Sequence, residues 1–228
     1  MAAKQQPIVI AIDGTSASGK STNAKLIAKA LDFVYVDTGA MYRTLAWYCL
    51  KQNVDFHEPK AVGALCRKWK TQLICNDGDI KSARLLVDSH YPEKEIRLKE
   101  TAVAVSHVAA VPKVREWMKN KQRECIQFGN LVMEGRDIGT NVFPETDFKF
   151  YLDASLSERS KRREADGLKE DLAARDQRDS QRAAAPLMIA LGAKVINNSG
   201  ETPQQTSGRI LAMIREQMTA QGITPQKF

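Results

Sequence analysis

Short apolar runs alternate along the chain with segments whose apolar residues recur at helical spacing. Residues 8–12 form a β-rich apolar run, which predicts a strand buried on both faces. The next segment has the apolar stripe of a helix, formed by Ala24, Ile27, Ala28 and Leu31. A second strand is predicted at 33–37 and a second helix at 39–50. This order of elements predicts an α/β fold with a parallel central sheet and right-handed crossovers.

The middle of the chain departs from this rhythm. Apolar runs at 73–75 and 83–87 flank the turn sequence Asn-Asp-Gly-Asp at 76–79, which predicts a β-hairpin. We expect this hairpin to belong to an inserted subdomain. Helical patterns follow at about 96–110 and 112–129.

Strand and helix signals return in the C-terminal half. Apolar runs predict strands at 131–133, 148–152 and 194–196. Two segments, 155–158 and 202–205, have the spacing of a capping box, in which a hydroxyl residue is followed three positions later by Glu or Gln. Helices should therefore begin at both places.

One motif carries a specific chemistry. The segment Gly14-Thr15-Ser16-Ala17-Ser18-Gly19-Lys20-Ser21 fits GxxxxGK[ST], and it lies directly after a predicted strand and before a predicted helix. Such a loop wraps a phosphate chain with backbone N–H groups at a helix N-terminus. We therefore expect a nucleoside triphosphate at residues 14–22, with Lys20 on the β- and γ-phosphates. Ser21 is the expected Mg²⁺ ligand, and Thr22 is the alternative.

Composition narrows the class of protein. The chain has 228 residues, of which 43% are apolar and 27% charged, as in a single globular domain. No apolar run is long enough for a membrane span, so a cytoplasmic protein is expected. The four cysteines are widely spaced, which indicates neither a zinc site nor a disulfide framework. A net charge of +7 favours an anionic partner, either a nucleotide or a nucleic acid.

Arginines follow several predicted strand ends, where open α/β sheets bind ligands. The set consists of Arg43, Arg136, Arg175, Arg178 and Arg182. Moving a phosphoryl group between two anions requires cations that cancel the repulsion and stabilise the transition state. Arginine suits this task because its planar guanidinium pairs with phosphate through two hydrogen bonds. The phosphate loop and the arginines together indicate a small-molecule kinase.

Several segments resemble the bacterial-type cytidylate kinase family over nearly the whole chain. Besides the motif above with Ile12 and Asp13, which precede it, they are 37–43 (DTGAMYR), 105–110 (VSHVAA) with 112–116, 134–140 (EGRDIGT) with 142–144, and 175–187. The resemblance implies a P-loop NTPase-type three-layer fold in a single kinase domain, 1–228. Its parts would be a CORE at about 7–60, 100–155 and 185–228, an insertion for the nucleoside monophosphate at about 61–99, and a short LID at about 156–174.

The resemblance also implies residue roles. Lys20, Arg136 and Arg175 would be catalytic, and Glu134 would hold Mg²⁺ through water. The CMP-binding residues would be Thr38, Arg43, Ser106, Arg115, Arg136, Asp137, Arg175, Asp179 and Arg182. Among them, Asp179 would bind the ribose, and Ser106, Arg115 and Asp137 would read cytosine. An arginine can donate to O2 and N3 of cytosine while a carboxylate accepts from its N4 amine.

Three positions depart from the family pattern. Glu134 stands where Asp is usual, Thr15 stands where Pro is common, and the segment between Arg163 and Arg175 is several residues shorter.

The expected reaction is phosphorylation of CMP and dCMP by ATP with Mg²⁺, in a monomer that binds neither membrane nor nucleic acid. Two alternatives stay open at this stage. One is another small kinase acting on UMP, AMP, shikimate or dephospho-coenzyme A, and the other is a nucleic-acid-binding P-loop module.

Overall fold

Seven strands form one sheet in a computed structural model that describes residues 6–165 and 171–223. The strand order is β3-β4-β2-β5-β1-β6-β7, and all neighbours are parallel except β3 and β4. The strands are β1 Val9–Gly14, β2 Val34–Asp37, β3 Thr71–Asn76, β4 Ser82–Val87, β5 Leu131–Glu134, β6 Phe148–Asp153 and β7 Lys194–Asn197. The predicted α/β fold with a mainly parallel sheet is confirmed.

Helices cover both faces of this sheet and make the fold three-layered. They are α1 Lys20–Leu31, α2 Thr38–Lys51, α3 Pro59–Lys68, α4 Lys99–Val108, α5 Pro112–Glu124, α6 Leu156–Ala165, α7 Leu172–Ser180 and α8 Pro203–Ala220. Alternate residues of β1 point to opposite faces: Ile10 and Ile12 pack with α1 and α8, whereas Ala11 packs in the core on the side of α2, α4 and α5. None of the described helices has the length and apolar character that crossing a membrane requires.

The predicted hairpin is confirmed and lies in the central sheet. Strands β3 and β4 pair antiparallel from Thr71 with Val87 to Asn76 with Ser82. Strand β4 then joins the edge of β2, where Tyr35 pairs with Ser82 and Val36 with Ala83. The bounds of an inserted subdomain at about 61–99 stay a prediction.

Most helix boundaries agree with the sequence pattern. The capping box at Thr202 is complete, with Thr202 and Gln205 each bonding the other's backbone N–H. At Ser155 only half of the box forms, because the Ser155 N–H donates to the Ser199 hydroxyl instead of to Glu158. The helix predicted at 112–129 ends at Glu124 and continues as a single 3-10 turn, Cys125–Phe128.

The segment of the expected LID contains α6 and the start of α7. Residues 166–170, which fall inside its predicted bounds of 156–174, lie outside the described residues.

Candidate active site

A cavity of about 670 Å³ opens where three parallel strands end. Glu134 at the end of β5 pairs in register with Ile12 of β1 and with Asp37 of β2, so these carboxyl ends meet at one edge of the sheet. The predicted residues that line the cavity are Ser16, Ala17, Gly19, Lys20, Ser21, Thr22, Thr38, Arg43, Ser106, Arg115, Glu134, Arg136, Asp137, Arg175, Asp179 and Arg182. Gly14, Thr15 and Ser18 belong to the loop but do not line the cavity.

Two positions of the phosphate loop, residues 14–21, favour glycine for reasons of packing or backbone conformation. A Cβ atom on Gly14 would lie 2.0 Å from the carbonyl oxygen of Leu152, so no side chain fits between the loop and β6. Gly19 has φ +85°, a left-handed conformation that glycine adopts without strain. This packing aims the loop and the first turn of α1 into the cavity.

Lys20 is buried at the base of this loop. Its Nζ donates to the Thr15 carbonyl oxygen at 2.5 Å and lies 3.4 Å from the Ser18 hydroxyl. Burial lowers the pKa of Lys20 well below its usual value, and the neighbouring Arg136 lowers it further. An anion bound among these cations would therefore restore the charge of the ammonium group.

Two oxygen-bearing side chains near Lys20 could hold a magnesium ion. Ser21 and the buried Glu134 both line the cavity, and Ser21 is exposed there. The hydroxyl of Tyr35 donates to Glu134. Burial and the nearby Asp37 raise the pKa of Glu134, and Lys20 opposes that rise. Mg²⁺ prefers hard oxygen ligands, usually few from the protein with the rest from water and phosphate.

Asp13 supports the site without lining the cavity, and no motif assigns it this role. It is buried near the end of β1, where its two carboxylate oxygens accept the N–H groups of Ile138 at 2.9 Å and Gly139 at 2.8 Å. Burial raises the pKa of Asp13 to about 6, although the two hydrogen bonds oppose this rise. The bonds hold a single π-helical turn, Ile138–Val142, directly after Asp137. Asp13 therefore positions the segment on which Arg136 and Asp137 lie.

Carboxylates hold several of the arginines that line the cavity. Asp179 accepts from Arg136 Nε at 2.9 Å and also from Arg182. Burial would raise the pKa of Asp179, but Arg136 and Arg182 outweigh it, so the pKa is lowered and the carboxylate stays charged. Arg43, which also lines the cavity, lies 3.4 Å from Asp37.

Arg115 and Asp137 form a buried pair deeper in the cavity. Arg115 Nη2 lies 2.7 Å from Asp137 Oδ2, and only 4% of its side chain is exposed. Arg115 Nη1 donates to the Ala109 carbonyl oxygen at 3.2 Å. Arg115 Nη2 is paired with Asp137, whereas Arg115 Nε has no hydrogen-bond acceptor among the described residues. Buried donors of this kind normally have a partner, so the cavity calls for a ligand acceptor at this point.

Other cavity residues have no signal in the sequence. Arg97, which lies on a 3-10 turn, approaches Asp37 at 3.5 Å and adds a cation to the wall that bears Arg43. Asn198, which follows β7, donates to the Ser18 carbonyl oxygen at 2.9 Å and accepts from Arg162 at 3.2 Å. Both residues reach the cavity only through tertiary packing, so no local motif identifies them.

The arginines of α6 divide into two kinds. Arg162 and Arg163 line the cavity, whereas Arg159 bonds the protein itself: the Ala154 and Ser16 carbonyl oxygens and the carboxylate of Asp176. Arg159 therefore stabilises the phosphate loop without facing the cavity. Arg178, the remaining arginine of the predicted set, does not line the cavity.

A phosphate loop facing an arginine cluster at the end of a parallel sheet defines a P-loop nucleotide-binding protein. The cytidylate kinase family profile matches residues 10–216. The cytidylate kinase of Anoxybacillus flavithermus is 39% identical over 225 residues, which cover 94% of this chain and 99% of that protein. The cytidylate kinase of Geobacillus thermodenitrificans is also 39% identical, with the same coverage of both chains.

A third relative is longer. The bifunctional pantoate ligase/cytidylate kinase of Acaryochloris marina is 38% identical over 220 residues, which cover 91% of this chain and 42% of that protein. The chain thus spans less than half the length of this bifunctional relative.

The chain belongs to the cytidylate kinase family and is a nucleoside monophosphate kinase. The family implies ATP as the phosphoryl donor and a nucleotide as the acceptor. Neither the family nor these relatives favour the alternatives of a different small-molecule acceptor or a nucleic-acid-binding module.

Proposed function

We propose that the protein transfers the γ-phosphoryl group of ATP to CMP and dCMP, with the cytosine bound at Arg115 and Asp137. The observation that carries this assignment is the buried Arg115, whose Nε lacks an acceptor and whose Nη2 pairs with Asp137, in the cavity that the phosphate loop also lines. Cytosine O2 and N3 are acceptors that suit these donors, and the cytosine N4 amine suits the Asp137 carboxylate. Uracil has a carbonyl in place of that amine and would face the carboxylate without a donor.

The acceptor phosphate would bind among Arg43, Arg136 and Arg182, with Arg175 beside the transferring group. Thr38 also lines the cavity, and its hydroxyl donates to the Glu134 carbonyl oxygen at 2.7 Å. Asp37 and Asp179 balance the charge of these arginines in the structure. A bound phosphate would take over part of that charge balance. Lys20 and the arginines then stabilise negative charge on the transferring oxygens. No general base is required, because a phosphomonoester is largely ionised near neutral pH.

Mg²⁺ would be held by Ser21, with Glu134 acting through water and Thr22 as the alternative hydroxyl. When bound, the ion neutralises charge on the β- and γ-phosphates. Among the described residues, no cluster of three or more His, Cys, Asp or Glu side chains could hold a metal ion. A site with one hydroxyl and one carboxylate fits an ion that takes most of its ligands from water and phosphates.

ADP release measured with CMP, dCMP, UMP and AMP as acceptors tests this function. We expect CMP and dCMP to give the highest kcat/KM, because only cytosine complements both Arg115 and Asp137. Lys20→Ala should abolish turnover with all four acceptors while circular dichroism shows a folded chain, which excludes a contaminating kinase. Turnover with UMP or AMP equal to that with CMP would contradict the cytosine assignment.

A further inference from the structure

The side chain of Asp176 extends from α7 to the back of the phosphate loop. Its Oδ1 accepts the backbone N–H of Ser16 at 3.0 Å, and its Oδ2 accepts from Arg159 Nη1. The same Arg159 nitrogen donates to the Ser16 carbonyl oxygen at 3.1 Å. Both backbone polar groups of Ser16 are therefore held by one ion pair.

This ion pair is largely shielded from water. Ser16 is 3% exposed, Arg159 is 8% exposed and 16% of the Asp176 side chain is exposed. Arg159 is fixed in turn by α6, because its Nε donates to the Ala154 carbonyl oxygen at 3.0 Å. Hydrogen bonds between charged partners are about twice as strong as neutral ones, and burial reduces their screening by water. We call Asp176, Arg159 and the Ser16 backbone the clamp.

The helix that the clamp fixes carries Arg175 and also Asp179, which holds two further arginines; we call these three arginines the acceptor cations. Arg175 precedes Asp176 in α7 and lines the cavity, and Asp179 binds Arg136 and Arg182. The position of α7 relative to the phosphate loop therefore contributes to the distance between these cations and the donor phosphates. The clamp therefore connects α7 directly to the phosphate loop through hydrogen bonds.

We propose that Asp176 is a positioning residue which, with Arg159, locks α7 onto the phosphate loop and so aligns the acceptor cations with the donor phosphates. This inference rests on the proposed kinase function. A competing explanation is that Asp176 occupies a loop N–H that a donor phosphate would otherwise take. The two explanations predict opposite effects on the binding of the donor.

The test is Asp176→Asn in the full chain. The amide keeps the size of the side chain but loses its charge and one acceptor oxygen. We expect kcat to fall about 10- to 100-fold, since a displacement of about 1 Å in a reacting pair costs a factor of that order. The dissociation constants of CMP alone and of a non-hydrolysable ATP analogue alone should change by less than about 3-fold, because alignment matters in the transition state.

Asp171→Ala is the matched control. The carboxylate of Asp171 caps α7 by accepting the Ala174 N–H at 2.9 Å, and Asp171 does not line the cavity. Its loss should lower the thermal stability of the protein but leave kcat within about 3-fold of the wild type. If Asp176→Asn fails to fold, Arg159→Lys provides the test, because it keeps the charge but loses the planar group that bonds Ser16, Ala154 and Asp176 together.

Three results would overturn the inference. Tighter binding of the ATP analogue by Asp176→Asn, with an unchanged kcat, would identify Asp176 as a competitor of phosphate. An equal loss of kcat in Asp171→Ala would reduce the effect to helix stability. An unchanged kcat and unchanged binding in Asp176→Asn would contradict the clamp alone, whereas a wild-type chain that fails to phosphorylate CMP would contradict the proposed function.

Discussion

Individual charged side chains in the cavity are balanced by one another. Asp179 lies between Arg136 and Arg182, and Arg115 lies against Asp137. A buried charge without a partner would be costly, so these carboxylates make a strongly cationic pocket compatible with a stable fold. An entering phosphate therefore competes with existing carboxylate contacts rather than meeting unpaired cations.

Asp137→Asn should reduce the preference for CMP over UMP. The amide can donate to the uracil carbonyl as well as accept from the cytosine amine. The variant therefore no longer favours cytosine over uracil at this position. We expect the ratio of kcat/KM values for CMP and UMP to fall about 10-fold or more, in line with about 1–3 kcal/mol for an unpaired buried polar group. Steady-state kinetics with both acceptors measure this ratio.

Asn141→Ala is a suitable control for this experiment. It removes a second hydrogen bond to the Asp137 carboxylate, at 2.9 Å, without changing the charge of that carboxylate. The preference for CMP should persist in this variant. An Asp137→Asn enzyme with the wild-type ratio would rule out Asp137 as a reader of the base.

Short elements around the site depend on contacts that the sequence pattern does not encode. The phosphate loop, its flanking strand and α1 follow from the GxxxxGK[ST] motif and from hydrophobic periodicity, and the structure has all three. The π-helical turn at Ile138–Val142 was not predicted, because a single turn has no periodicity and is held by the distant Asp13. The separate helix α7 was also missed, since its charged pattern resembles any solvated surface.

The element that Asp13 holds should make stability depend on pH. Burial raises the pKa of Asp13 from 3.8 to about 6, so the folded state binds a proton more tightly than the unfolded state does. The stability that Asp13 contributes is fully present below about pH 4 and is lost as the pH rises through 6. Between pH 5 and pH 7.5 this loss should amount to about 1–2 kcal/mol in the free energy of unfolding.

Asp13→Asn removes this titration and isolates its effect. The difference in unfolding free energy between wild type and variant should be larger at pH 5 than at pH 7.5, as measured by urea denaturation. Thr202→Ala, which breaks the capping box of α8, should cost about 1 kcal/mol at both pH values. A wild-type-to-variant difference that does not change with pH would show that Asp13 has an ordinary pKa.

At the scale of the whole molecule, the cavity draws residues from segments spread over most of the chain, from Ser16 to Thr206. The sequence predicts the class of fold because alternating strands and helices leave few topologies. It does not predict that the hairpin joins the edge of β2, since strand pairing at long range depends on the packed core. Arg97 and Asn198 escape prediction for the same reason, because only the complete fold brings them to the cavity.

CMP should stabilise the whole molecule against heat, since it binds a site that exists only in the folded state. At a concentration of about 100 times Kd, binding contributes about 2.7 kcal/mol, which corresponds to a rise in Tm of about 5–10 °C for a chain of this size. UMP and cytidine at the same concentration should give smaller shifts, because one lacks the N4 amine and the other lacks the phosphate. A thermal-shift series checks this, and equal shifts for all three would contradict a site built for both groups.

The turn of the hairpin, residues 77–81, lies at the end of the sheet opposite the cavity. Its neighbours there are on the surface, where Lys29 pairs with Asp79 and Lys81 with Asp32. Exposed pairs of this kind contribute little to stability. The turn is therefore a place where the chain can accept a fluorescent label or a tether to a support while the residues around the cavity keep their positions.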